Sequence, residues 1–261
     1  MVKEAVRISL GRQLSLSGTI LHLGLRCNWD EYTREEQALI VQAGKIYFPT
    51  IFYAHVFHAM GKEIFPSLSS YNLLGDKIRQ TCLFEMLQIP HPRTRFFWGS
   101  KRAEKILAEF RFPFIGKIPR ASSRGRGVFF IDSPSALKGY LKRVNTAYIQ
   151  EYVPIDRDIR VVLIGRDIVL SYWKIGAPDD FRTNVARGSR ISLEDVPEEA
   201  LELVRDLSAR SGIDHAGFDI CMTERGPLVF EANIHFGTEG FKEAGLSYRE
   251  VIADMADAFR I

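Results

Sequence analysis

Apolar residues recur along this chain at two periods, and the switches between them mark out its elements. In residues 1–42 no element stands out: short apolar patches such as Ile20-Leu21 alternate with a polar run from Asp30 to Gln37. Ile46-Tyr47-Phe48 then ends at Pro49 like a short buried strand, 52–60 has helical spacing closed by Gly61, and Ile64-Phe65 returns as a strand. Residues 66–70 read as a linker. From Lys77 a helix carries Ile78, Cys82, Leu83, Met86 and Leu87 on one face and has to stop before Pro90 and Pro92.

Further along, the spacing predicts a helix over 103–110, strands at 114–117 and 127–131 around a loop at 119–126, a helix over 134–143 and a strand at 148–152. A hairpin over 158–175 turns at Gly165-Arg166. A helix over 201–211 turns Leu203, Val204 and Leu207 inward, a second hairpin joins 216–222 to 228–233, and a helix over 248–259 closes the pattern. Hairpins alternating with helices predict an α+β protein. The breaks divide it into a short N-terminal domain, 1–75, a central lobe, 76–154, and a C-terminal lobe, 155–261.

Composition narrows the classes. At 261 residues, 46% apolar and 26% charged, the chain holds ample material for a core, which removes disordered, fibrous and disulfide-scaffold readings. A net charge of +3, from 35 basic and 32 acidic residues, gives no basis for a dedicated nucleic-acid or membrane surface. Cys27, Cys82 and Cys221 are scattered and read as small apolar residues in a reducing compartment. The apolar stretch 161–173 is broken by Arg166 and Asp167, and no cleavable leader precedes it, so the expectation is a soluble cytoplasmic protein.

The common nucleotide and metal motifs are missing. Every Gly-Lys pair lacks the following Ser or Thr of a Walker A loop, and Gly125-x-Gly127 runs into Val-Phe-Phe-Ile instead of a helix. The six histidines show no zinc spacing, and His55 and His58 read as structural or surface residues. Three weaker signals remain. The hairpin near the C-terminus places Asp219 opposite Glu231, with Asn233 on the same face and opposite Gly217, which leaves space. Two carboxylates and an amide oxygen suit Mg²⁺ or Mn²⁺ shared with phosphates, although on these residues alone a solvated acidic face is the simpler reading. Lys117 ends an apolar strand and precedes Arg120-Ala-Ser-Ser-Arg-Gly-Arg-Gly127, which is either a phosphate cradle or a basic surface loop. Arg160, Arg182 and Asn184 offer donors for anionic oxygens, or ordinary surface ion pairs.

Taken in order, these segments resemble the ATP-grasp superfamily, and most closely its RimK-type carboxylate–amine (glutamate) ligases. The carrying stretches are Asp76-Lys77 opening a helix that ends Gln-Ile-Pro-His-Pro-Arg-Thr94, then Pro113-Phe-Ile-Gly-Lys117, Ser123-Arg-Gly-Arg-Gly-Val128 and Gln150-Glu-Tyr-Val153. Asp158-Ile-Arg160, Asp180-Phe-Arg-Thr-Asn184, Phe218-Asp-Ile220 and Gly226-Pro-Leu-Val-Phe-Glu-Ala-Asn233 follow. The resemblance implies an ATP-grasp fold of two α+β lobes behind a short α/β domain. It also implies an ATP-dependent ligase that makes an amide or peptide bond through an acyl phosphate. A phosphotransferase of the same fold, or a nucleotide-binding protein without turnover, remains the alternative.

By this resemblance Lys77 and Lys117 hold the phosphates, and Ser123, Gly125 and Gly127 belong to a phosphate lid at 122–127. Gln150, Glu151, Tyr152 and Val153 form the adenine hinge, and Asp158 lies near the ribose. Asp219, Glu231 and Asn233 match magnesium ligands. Arg160, Arg182 and Asn184 match the γ-phosphate and acyl-phosphate side. The implied partners are ATP, a carboxylate and an amine, and dimerisation stays open. Three departures stand out: Asn233 continues as Ile-His-Phe-Gly237, so that His235 either alters the acceptor pocket or packs beneath it; Arg124 and Arg126 stand in the phosphate loop where smaller residues are common, either to serve an acidic substrate or as solvated side chains; and the N-terminal region lacks a clear first strand.

Overall fold

The computed structural model describes residues 6–73, 75–120, 127–176 and 190–261. Three sheets organise it. The first is parallel, in the order β2-β1-β3-β4, from β1 (Arg7–Ser9), β2 (Leu21–His22), β3 (Lys45–Tyr47) and β4 (Glu63–Phe65). Its first strand therefore exists, beside β3 and near the middle of the sheet, but with only three residues and one fully apolar side chain it carries no readable period. Helices α1 (Arg34–Gln42) and α2 (Ile51–Ala59) connect these strands. A capping box starts α1: Glu36 N–H donates to Thr33 Oγ1 at 3.2 Å, and Glu36 Oε2 accepts from the Thr33 N–H at 2.8 Å. The stretch read as linker also holds a short helix, α3 (Leu68–Asn72), capped by Ser67.

The second sheet is antiparallel, in the order β5-β8-β6-β7, from β5 (Thr94–Phe97), β6 (Phe114–Lys117), β7 (Val128–Ile131) and β8 (Ala147–Glu151). Helices α5 (Arg102–Glu109) and α6 (Pro134–Leu141) cover one face and bury Ile106 and Leu137 against Phe97, Phe114 and Ile131. β5 escaped the periodic reading because the exposed Arg95 shares a face with the core residue Phe97, while the buried Thr94 lies on the other face, its hydroxyl accepting from Gln150 Nε2 at 3.0 Å.

The third sheet has the order β11-β10-β9-β12-β13, from β9 (Arg157–Ile164), β10 (Asp167–Ile175), β11 (Arg190–Ser192), β12 (His215–Thr223) and β13 (Gly226–Asn233). One face packs Ile159, Val161, Phe218 and Ile220 under α7 (Glu198–Ser211). The same core takes Phe84 from α4 (Lys77–Met86), so the helix that precedes the second sheet in sequence packs with the third. On the other face Val162 and Ile164 meet Tyr47, Phe65 and the closing helices α8 (Glu239–Glu243) and α9 (Tyr248–Asp257). The rest of that face carries charge.

The inward face of α4 differs from the spacing argument. Lys77, Gln80, Thr81 and Phe84 are its buried residues, while Met86 is 82% exposed. The polar residues tolerate burial because partners await them: Gln80 is satisfied by the main chain of β13, and Thr81 Oγ1 lies 2.8 Å from Tyr148 Oη. Of the cysteines, Cys221 is buried, Cys82 half-buried and Cys27 exposed, so the apolar reading holds for Cys221 and fails for Cys27. No helix among the described residues is long and apolar enough to cross a membrane.

Candidate active site

The charged face of the third sheet is a product of register. Arg160 pairs with Asp219, which pairs with Glu231, and Gly217 pairs with Asn233. Asp158, Arg160, Lys174, Asp219, Glu231 and Asn233 therefore share one face. Two β-bulges make this possible. In β13 the register shifts at Phe230, which lets Val229 and Ala232 both face the core while Glu231 and Asn233 point the other way. In β10 it shifts at Val169, which brings Lys174 opposite Asp158 instead of Arg157.

The carboxylates are tightly held. Asp219 Oδ1 accepts from Arg160 Nε at 2.7 Å and from Lys174 Nζ at 2.8 Å, and Lys174 Nζ also reaches Asp158 Oδ2 at 2.9 Å. Burial alone would push the Asp219 carboxyl up, but Arg160 and Lys174 outweigh it and hold it well below the usual carboxylate range. Burial likewise pulls the Lys174 ammonium down, and Asp219 and Asp158 more than restore it. Across the gap, Lys77 at the first turn of α4 donates to Glu231 Oε1 at 2.7 Å.

Lys117 closes the cluster from the second sheet. It is 8% exposed, with its ammonium 5.8 Å from the ring centres of both Tyr148 and the bulged Phe230. Burial pushes its pKa down to about 8; Glu231 opposes this and Lys77 adds to it. Because that value lies below the ordinary ~10.4 of an unfolded lysine, this group costs the ligand-free fold most below about pH 8. Its cost fades as pH rises toward 10. The start of α4 is bound to the strand end beyond Lys117: Lys77 N–H donates to the Pro119 carbonyl at 2.9 Å, and Arg120 Nε reaches the capping Asp76 at 2.9 Å.

The other sequence candidates fall as follows. Gln150 is buried and turned to Thr94. Glu151 donates its N–H to the Arg93 carbonyl at 2.9 Å and accepts the Arg93 N–H at 2.8 Å through its side chain. Tyr152 meets the Phe130 ring edge-on at 5.0 Å, beside Val153. Gly127 anchors the end of the lid stretch, its carbonyl accepting the Ile118 N–H at 2.7 Å. Ser123, Gly125, Arg182 and Asn184 lie outside the described residues. The space expected over Gly217 is already taken. A Cβ there would stand 2.8 Å from Phe236 Cβ and 3.1 Å from Arg160 Nη1.

Two residues of the site were not found from the sequence. Lys174 was hidden because the tight turn at Gly165-Arg166 implies a register that only the Val169 bulge corrects. Gln80 was hidden in a helix read as apolar. Its side chain spans the main chain between Glu231 and Asn233: Oε1 accepts the Ala232 N–H at 2.9 Å and Nε2 donates to the Ala232 carbonyl at 2.8 Å. Gln80→Leu should strand both buried groups and cost ~2–4 kcal/mol. Urea unfolding checks this, and a loss under about 0.5 kcal/mol would mean that water replaces the amide.

Among the described residues, the four cations Lys77, Lys117, Arg160 and Lys174 face three carboxylates, a surplus of one positive charge suited to a polyphosphate. Among the described residues no set of three or more His, Cys, Asp and Glu side chains could hold a metal ion by itself. The donors at hand are two carboxylates and one amide, hard oxygens that fit an ion completing its shell with phosphate and water.

The fold defines the class. Over 95% of this chain and 98% of the other, it superposes with a TM-score of 0.70 on a RimK domain ATP-grasp protein of Sphaerobacter thermophilus, at 15% identity. It also superposes with a TM-score of 0.64 on the D-alanine–D-alanine ligase of Bacillus anthracis complexed with ATP, at 13% identity and 98% of each chain. The protein has an ATP-grasp fold. The RimK-like ATP-grasp domain matches residues 74–256, and the chain belongs to that family. It is 35% identical over 175 residues to a probable alpha-L-glutamate ligase of Enterobacter sp., covering 64% of this chain. It is 29% identical over 194 residues to one of Coxiella burnetii, covering 71% of this chain. The matches span 58% and 64% of those relatives.

Proposed function

We propose that the protein is an ATP-dependent carboxylate–amine ligase, with the charged cluster as its phosphoryl-transfer site. The observation that carries this is the convergence of Lys77, Lys117 and Arg160 on a face holding two carboxylates and an amide oxygen, in a chain of the RimK-like ATP-grasp family. Lys77 and Lys117 would bind the phosphates, and the Tyr152-Val153 segment with the Glu151 carbonyl would read the adenine. A magnesium or manganese ion on Asp219, Glu231 and Asn233 would offset charge on the transferring group. Arg160, fixed on Asp219, would steady the acyl phosphate, and Arg182 and Asn184 would complete that side. Catalysis is then positioning and electrostatics: a substrate carboxylate takes the γ-phosphoryl group, and an amine displaces phosphate. A working place in the cytoplasm follows from this chemistry's need for ATP.

The test is ADP and phosphate release with ATP and Mg²⁺ across pooled carboxylates, with and without pooled amines, followed by mass spectrometry. ADP formation that needs both pools, with a product of acid plus amine minus water, supports the ligase. A phosphorylated product without an amine would favour a phosphotransferase, and ATP binding without hydrolysis a non-catalytic protein. Lys117 gives a second check. Phosphate beside it restores its charge, so ATP binding at pH 8 should take up roughly half a proton, seen as a buffer-dependent enthalpy in calorimetry. Lys117→Ala should abolish that uptake and weaken ATP binding about tenfold or more. Unchanged affinity would remove Lys117 from the phosphate site.

A further inference from the structure

Beside the charged cluster lies a cavity of about 430 Å³, within the ~300–1,000 Å³ of small-molecule sites. One wall comes from the carboxyl ends of the parallel strands β1, β3 and β4, where ligands of open parallel sheets bind. The other comes from Ile234 and Phe236, just beyond Asn233. Phe236 packs on Gly217 beside the Arg160 guanidinium, so a single ring separates this cavity from the charged face.

The wall is largely aromatic, with Gln13, His235 and Thr238 as uncharged polar members and the buried Nδ1 of His215 without a hydrogen-bond partner among the described residues. His215 is 4% exposed and surrounded by rings, 5.5 Å from Phe48 and 5.2 Å from Phe236 between centres. Its Nε2 lies 2.9 Å from Tyr248 Oη, and Tyr71 Oη donates to the Pro49 carbonyl at 2.6 Å. Burial lowers the His215 pKa to about 3, which leaves a neutral ring at physiological pH. No Lys, Arg, Asp or Glu lines this cavity among the described residues. An acidic side chain placed here would lose its water without gaining a counter-charge.

From this we infer that the cavity between the first sheet and the Ile234–Phe236 segment holds an uncharged, aromatic or large aliphatic side chain of one of the enzyme's two substrates. The reacting group lies beyond Phe236 on the Arg160 side. This rests on the ligase reading above. It separates the chain from what its relatives' names imply, because this wall offers a glutamate side chain no counter-charge among the described residues.

Free amino acids test it, since each carries both a carboxylate and an amine. L-Phenylalanine, L-leucine, L-glutamate and L-lysine are titrated into the full chain by calorimetry with a non-hydrolysable ATP analogue and Mg²⁺. The same compounds are then assayed singly and in pairs for ADP release. Phenylalanine and leucine are expected to bind about tenfold or more tightly than glutamate and lysine. Leu25→Arg, at a rim position 51% exposed, should narrow the phenylalanine–glutamate ratio at least about threefold without a folding cost. Glutamate binding as tightly as phenylalanine overturns the inference, as does the absence of binding by every compound. ADP release with glutamate but not with phenylalanine leaves the ligase standing and removes the apolar site. Selective phenylalanine binding with no ADP release from any pair does the reverse.

Discussion

Glu231→Gln is expected to lower turnover with ATP and Mg²⁺ by at least about 100-fold while the protein stays folded. The side chain faces Asp219 across the β12–β13 ladder and holds Lys77 Nζ at 2.7 Å. Gln keeps the shape and an oxygen for Lys77 but removes one of the two carboxylates proposed to hold a divalent ion. Loss of that charge falls on the step in which phosphate charge moves, so kcat should drop far more than metal-free ATP affinity. The folding cost is small because the Glu231 side chain retains 20% of its exposure and the amide still accepts from Lys77. A melting temperature within a few degrees of wild type accompanies this expectation, whereas wild-type turnover in the variant would sink the metal assignment.

How much of this was legible in the sequence depends on the length and regularity of each element. Long antiparallel hairpins announce themselves. The pairing of Asp219 with Glu231 follows from a five-residue loop and an unbroken ladder, yet the actual turn is Glu224-Arg225, with Thr223 facing Gly226, and the Phe230 bulge restores the pairing. Two deviations of one residue cancel. In β10 only the bulge is present, nothing cancels it, and Lys174 was lost. A bulge leaves no periodic trace, since its extra residue is bound by no ladder requirement.

The N-terminal domain was obscured for a different reason. Its first two strands have only three and two residues, too few for a pattern, whereas β3 and β4 are the strands read at 46–48 and 64–65, and the sheet's stability comes from being covered by helices and by the C-terminal segment. Tyr47 Oη, for example, donates to the carbonyl of Ile261, 214 residues away. The capping box at Thr33-x-x-Glu36 was readable inside the polar run at 30–37 and would have placed α1. The apolar cavity lies between this domain and the segment after Asn233, so the part hardest to read from sequence bears on substrate choice, while the phosphate side follows from ordered motifs.

Lys174→Met should destabilise the fold by ~3–5 kcal/mol, the range for removing one partner of a buried ion pair. Lys174 and Asp158 are 7% and 5% exposed in their side chains, and the single ammonium serves Asp158 and Asp219 together. Met fills the volume of the stem without supplying charge, leaving two buried carboxylates to share Arg160 as the nearby cation in β9. A carboxyl held below its unfolded value contributes stability that is present above about pH 4 and lost as pH falls through the folded value. The wild type should therefore weaken below pH 4, and the variant should show a smaller acid loss because much of that contribution is already gone. Urea unfolding at pH 7, pH 4 and pH 2 measures both differences. A variant as stable as wild type at pH 7 would mean that water, not Lys174, compensates these carboxylates.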